Sequence, residues 1–186
     1  MDERGAIFIP MRVLISIVVM AAIVGIAFIG LQNAMKVAAE KQVERECNEL
    51  ISMLSTMVKG DARDINNPQD MQGSTRTKEF DLPDKLVYIG FGVDPDPDND
   101  GKLSSKLVGN GSCIFYKVEG MSKKVIWLDN DIKFREGKNE SGKWKIKYPE
   151  QGFVIKDGGK IELSFELVKD FSDEYVLILA EDNIEP

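Results

Sequence analysis

VLISIVVMAAIVGIAFIGL, residues 13–31, is the stretch that decides the architecture. It carries no charge, and Ser16 is its only polar side chain. As a helix it would extend about 28 Å, close to the hydrocarbon thickness of a bilayer. A helix apolar on every face is not needed by a soluble domain of this size. The stretch is therefore predicted to be a single transmembrane helix, with the lipid bilayer as its partner. The competing readings are a buried core helix and a secretory signal cut near Val37-Ala38-Ala39. The apolar run is longer than the 7–15 residues usual for such a signal. Arg4 and Arg12 precede the span and Lys36, Lys41 and Arg45 follow it, a near tie that leaves its orientation open.

Downstream, Gln32 to Lys59 contains neither Pro nor Gly. Val43, Cys47, Leu50, Leu54 and Met57 recur at steps of four and three, the signature of an amphipathic helix with one apolar stripe. Gly60 is a natural stop. The stripe packs on the chain's own globular part, or serves helix-to-helix assembly, or both.

A polar connector with Asn66-Asn67-Pro68 and Gly73 follows, and then short runs alternate with turn signals. The predicted strands are 76–82, 85–93, 113–118, 123–128, 143–148, 152–156, 160–168 and 175–181. In 160–168, Ile161, Leu163, Phe165 and Leu167 point to one face; Glu162, Ser164 and Glu166 are predicted to face solvent. Asp157-Gly158-Gly159 reads as a hairpin turn. The expected fold class is α+β, a long N-terminal helix followed by an antiparallel β-sandwich-like head or partly closed barrel. The expected segments are 1–12 (short N-terminal entry), 13–31 (span), 32–60 (amphipathic extension), 61–77 (connector) and 78–186 (head), and the resemblance described below implies that 1–12 holds a leader and that the head is extracytoplasmic.

Composition narrows the function. Net charge is -7 and histidine is absent among the 186 residues. Without a basic face, nucleic acid is not an expected partner. Without histidine, zinc sites and Ser-His-Asp or Cys-His catalysis are disfavoured. No catalytic constellation is evident, so no enzymatic activity is expected. Trp127 and Trp144 read as core or surface aromatics.

One cluster could carry site chemistry. Asp94, Asp96, Asp98 and Asp100, with Gly101, open like a D-x-D-x-D-G calcium loop. Leu107 stands where a bidentate Glu should close it, and Pro95 and Pro97 stiffen the entry. The expectation is weak calcium binding or a solvated acidic turn, and no other cofactor. The two cysteines, Cys47 on the helical stripe and Cys113 opening a strand, are both expected at the helix–sheet seam, where a disulfide could join them. Asn110 and Asn139 begin N-glycosylation acceptor triplets.

The N-terminus resembles an archaeal type IV prepilin or pilin-like protein. Asp2-Glu3-Arg4-Gly5 followed by Ala6 looks like a short charged leader ending at a prepilin-peptidase cut site, and 13–60 looks like the long pilin helix. The resemblance implies cleavage between Gly5 and Ala6, retention of the span, a β-rich head displayed outside the cell, and self-assembly through the N-terminal helix. Pro10, Met11 and Arg12 depart from the pattern, with no glutamate where bacterial pilins place one. The alternative is a monomeric anchored module that binds a ligand or envelope partner.

Overall fold

The computed structural model describes residues 3–140 and 142–180, with side chains in the first helix from residue 11 onward. The processing site Gly5–Ala6 thus has its side chains outside the described residues, as does Ser141 of the Asn139 triplet. Helix α1 (Glu3–Met57) is followed by ten strands. The chain divides into two compact units, residues 1–38 and 39–186.

Over residues 11–38, the described side chains of the first unit, the helix buries none of its large apolar side chains; Ile26 is 72% exposed and Met20 is 67% exposed. This helix is long and apolar enough to cross a membrane once.

The second unit begins with the rest of α1. Val43, Cys47, Leu50, Leu54 and Met57 are all buried, as the 3-4 spacing predicts. The stripe joins one core with inward residues of two sheets, among them Phe80, Phe91, Ile114, Phe134, Phe165 and Ile178. α1 ends at Met57, and at Gly60, three residues on, a Cβ would lie 2.1 Å from Ser74 Oγ.

The strands are β1 (Arg63–Asp64), β2 (Thr75–Leu82), β3 (Leu86–Phe91), β4 (Cys113–Val118), β5 (Lys124–Trp127), β6 (Phe134–Glu140), β7 (Lys143–Ile146), β8 (Phe153–Lys156), β9 (Gly159–Asp170) and β10 (Asp173–Leu179). One sheet has the order β1-β9-β10-β6-β7, with β2 also on β9; the other is β5-β4-β3-β8. The second sheet is wholly antiparallel. The first is mixed, because β1 pairs with β9 and β10 with β6 in parallel. This corrects the all-antiparallel expectation. β2 pairs with β9 residues 159–166 and β1 with 168–169, so both lie along the edge of β9 opposite β10.

The Asp157-Gly-Gly turn is also corrected. β8 pairs with β3 and β9 with β2 and β10, so the turn carries the chain from one sheet to the other and closes no hairpin.

The mixed sheet is covered on both faces. Val168, Leu177 and Leu179 form a second apolar cluster with Ile65, Trp144, Ile146 and Tyr175. Alternation along β9 and β10 places that cluster opposite the main core. The segment 61–73 is folded against this sheet: Ile65 N–H donates to the Lys169 carbonyl at 3.0 Å, and Leu167 N–H to the Ser74 carbonyl at 2.9 Å.

Candidate functional site

The acidic turn is the first candidate, and lysines stand beside three of its four aspartates. Asp94 Oδ2 accepts from Lys123 Nζ at 2.6 Å, and the same ammonium donates to the Asp96 carbonyl at 2.7 Å. Asp96 is buried; its Oδ1 accepts from Gly101 N–H at 3.2 Å and its Oδ2 lies 3.7 Å from Lys117 Nζ. Asp100 is held by Lys102, 2.9 Å away, while Asp98 is exposed. The loop folds onto the outer face of β3, where Pro95 takes the space that a Cβ on Gly90 would fill, 2.6 Å from Pro Cγ. Among the described residues, no three carboxylate or thiol groups converge on a common point. Around Asp94, Asp96, Asp98 and Asp100, the expected weak calcium loop or solvated acidic turn, Lys123 and Lys117 stand beside Asp94 and Asp96, and backbone N–H groups bond the carboxylates of Asp94, Asp96 and Asp100. Tyr88 lies beneath, its hydroxyl buried and pushed up to about 12 by burial and by Asp96 and Asp94.

The expected Cys47–Cys113 disulfide is not formed in the structure. Cys47 and Cys113 are buried free thiols. Cys47 belongs to the main core with Ile114, Tyr116 and Val118. Alternation along β4 turns Cys113 and Phe115 to the other face, where Phe115 meets the exposed Trp127 edge-on at 6.2 Å. The sheet itself therefore separates the thiols. Burial pushes Cys47 up to about 12 and Cys113 up to about 11, so neither is a ready thiolate.

Asn110 is exposed on the turn before β4. Its Oδ1 accepts from Ser112 N–H at 3.0 Å, and its Nδ2 donates to Asn130 at 3.3 Å. Asn139 is exposed at the β6–β7 turn, where its Oδ1 accepts from Gly142 N–H at 2.9 Å.

Two charged groups escape any reading of the sequence. Lys78 on β2 reaches α1, 2.9 Å from Glu46 and 2.8 Å from Glu49, and lies 5.2 Å above the Phe80 ring. Burial lowers its pKa, but the two carboxylates raise it further, and the net direction is up. Glu166 is 2% exposed, not solvated as its alternation predicts. Arg63 Nε donates to Glu166 Oε1 at 2.6 Å and Nη2 to Oε2 at 2.9 Å, a bidentate pair. Arg63 Nη2 also donates to the Trp144 carbonyl at 2.8 Å, and Gly73 N–H to Glu166 Oε1 at 3.2 Å. The pair floors a cavity of about 320 Å³ between segment 63–72 and the β6–β7 hairpin, with Trp144, Lys143, Asp70 and Gln72 around it. A signal for Glu166 existed only in its partner, Arg63, more than a hundred positions away in the chain.

Fold and site together define a class: a long N-terminal helix, apolar enough to cross a membrane, continued into a head of mixed and antiparallel sheets. Residues 10–182 match the family described as Domain of unknown function (DUF7311), and the chain belongs to that family. Comparison with curated proteins and with solved structures gives no match.

Proposed function

We propose that the chain is a pilin-like, non-enzymatic cell-surface protein of archaeal type, anchored by one transmembrane helix, with a β-sandwich-like head displayed outside the cell. One observation carries the reading. The helix whose apolar side chains are all exposed over 13–31 continues, without interruption, into the stripe that is the spine of the head's core. Anchor and head are thus built on a single helix, the layout of the pilin superfamily. The exposed apolar segment rests in lipid, or exchanges lipid for copies of itself in a filament, where packing is the driving force. Prepilin peptidase removes Met1–Gly5 on the cytoplasmic side.

Intact mass of the membrane-extracted chain tests the processing. A mature start at Ala6 supports the reading, and a start at Met1 or Asp2 removes its main sequence support. Protease added to intact cells tests the orientation: the head is expected to be digested, and its protection overturns the surface assignment.

A second reading, a monomeric anchored binding module, is favoured by Arg12. The span offers it no carboxylate, so a filament core would bury an unpaired charge, whereas a lone anchor lets it reach the headgroups.

A further inference from the structure

We propose that the cleft between segment 63–72 and the β6–β7 hairpin binds a neutral oligosaccharide. The inference goes beyond the anchoring role and does not depend on it, because binding can be measured whichever side of a membrane the head occupies.

The cleft is built, not incidental. Its volume, about 320 Å³, lies at the lower end of the range for small-ligand sites. Trp144 is half-buried, packs on the Val168–Leu177–Leu179 cluster and is one of the residues that line the cleft. The backbone beside it is held, since the Trp144 carbonyl accepts from Arg63. An aromatic surface packed in this way needs less ordering when a ligand arrives.

Charge decides the chemical class. Arg63 and Glu166 cancel each other on the floor, and Asp70 and Lys143 supply one charge of each sign at the rim. An anion would meet Glu166 and Asp70; a cation would meet Arg63 and Lys143. An apolar ligand would leave the ion pair and the rim amides of Asn67 and Gln72 desolvated without partners. A neutral polyhydroxylated ring avoids all three penalties. Its C–H face lies on the indole, and its hydroxyls both donate to and accept from the amide and charged groups. Gln72 is exposed and makes no hydrogen bond among the described residues, so its amide is free for a ligand.

The test uses the full chain in lipid nanodiscs, avoiding glycoside detergents, with saturation-transfer NMR. The neutral probes are cellobiose, maltotriose and N,N′-diacetylchitobiose; glucuronate and inorganic phosphate are the charged ones. At least one neutral probe is expected to bind at about 10 mM, tenfold above a millimolar Kd. Trp144→Ala should weaken that binding about tenfold or more, the loss typical of an aromatic anchor. Gln72→Ala, at the exposed rim, should weaken it about threefold with an unchanged melting temperature, which keeps the test valid if Trp144→Ala misfolds. Trp127→Ala, which removes the other tryptophan, should leave binding unchanged. The proposal is overturned if no neutral probe binds, if a charged probe binds more tightly than all three, or if Gln72→Ala leaves binding intact.

Discussion

Glu166 sits on the side of β9 where period-two alternation expects water, yet it is among the most buried charges of the head. Segment 61–73 brings Arg63 to it, and alternation cannot foresee a cover that arrives from another part of the chain. A buried pair has little net worth when intact but is costly to break, because the survivor is left charged without a partner. Arg63→Ala should therefore destabilise the head by about 3–5 kcal/mol, while the joint change Arg63→Met with Glu166→Leu should cost far less. Equal losses in chemical denaturation would refute this. The thiols give a second test. Both should resist labelling in the native chain and both should react under denaturing, non-reducing conditions; a single reactive thiol, or none, would mean a bond the structure lacks. Their ionisation also sets a pH limit. Burial raises Cys47 and Cys113 from an ordinary value of 9.0 to about 12 and about 11, and raises Tyr88 and Tyr116 from 10.0 to about 12. The folded state holds these protons more tightly than the unfolded one. Their contribution is fully present below about pH 9 and is lost as pH rises toward about 12. The melting temperature should fall steadily across that window; a flat profile from pH 8 to 11 would contradict the assignment.

Among the elements, α1 was the most legible. A 3-4 repeat of large apolar residues admits one buried face, and all five residues of the stripe lie in the core. Leu50→Ala should destabilise by about 2–5 kcal/mol, whereas the exposed Asn48→Ala should stay within about 0.5 kcal/mol. Similar losses at the two positions would mean that the stripe is not the seam. Most strands were legible as well, and β4 was read at its observed bounds. β6 was not: after Phe134 it reads Arg-Glu-Gly-Lys-Asn-Glu, with no apolar alternation, and its neighbours β10 and β7 make it a strand. β1 is two residues long and exists only because β9 extends past β2. Both parallel pairings involve these two strands, which is why the sequence reads as wholly antiparallel. In the acidic turn the spacing of the aspartates was legible, but not their counter-ions, Lys117 and Lys123, which arrive from β4 and the turn after it. Millimolar calcium or a chelator should therefore leave the melting temperature unchanged, while Asp94→Asn should lower it by loosening Lys123 from the loop. A calcium-induced rise of several degrees would instead place a metal site in the turn.

For the whole molecule, the division near residue 38 predicts separable behaviour. A fragment of residues 39–186 should fold cooperatively, because it keeps the helical stripe with both sheets. A fragment beginning at residue 61 should fail, since the core would lose Val43, Cys47, Leu50, Leu54 and Met57 together. Circular dichroism melts of the two fragments decide this, and a cooperative transition in the shorter one would show that the helix only decorates the sheets. The position of β9 has a consequence for biosynthesis. Three strands, β1, β2 and β10, pair with it, yet it is nearly the last element to leave the ribosome. Helix α1 is translated first, before any strand of either sheet. Until residues 159–179 emerge, the nascent chain holds an open apolar stripe and an unpaired β2. At a synthesis rate of about 5–20 residues per second, the hundred or so residues between the stripe and β9 leave that surface uncovered for about 5–20 seconds. A premature stop before β9 should therefore leave the stripe and β2 uncovered, and the truncated chain is expected to be degraded.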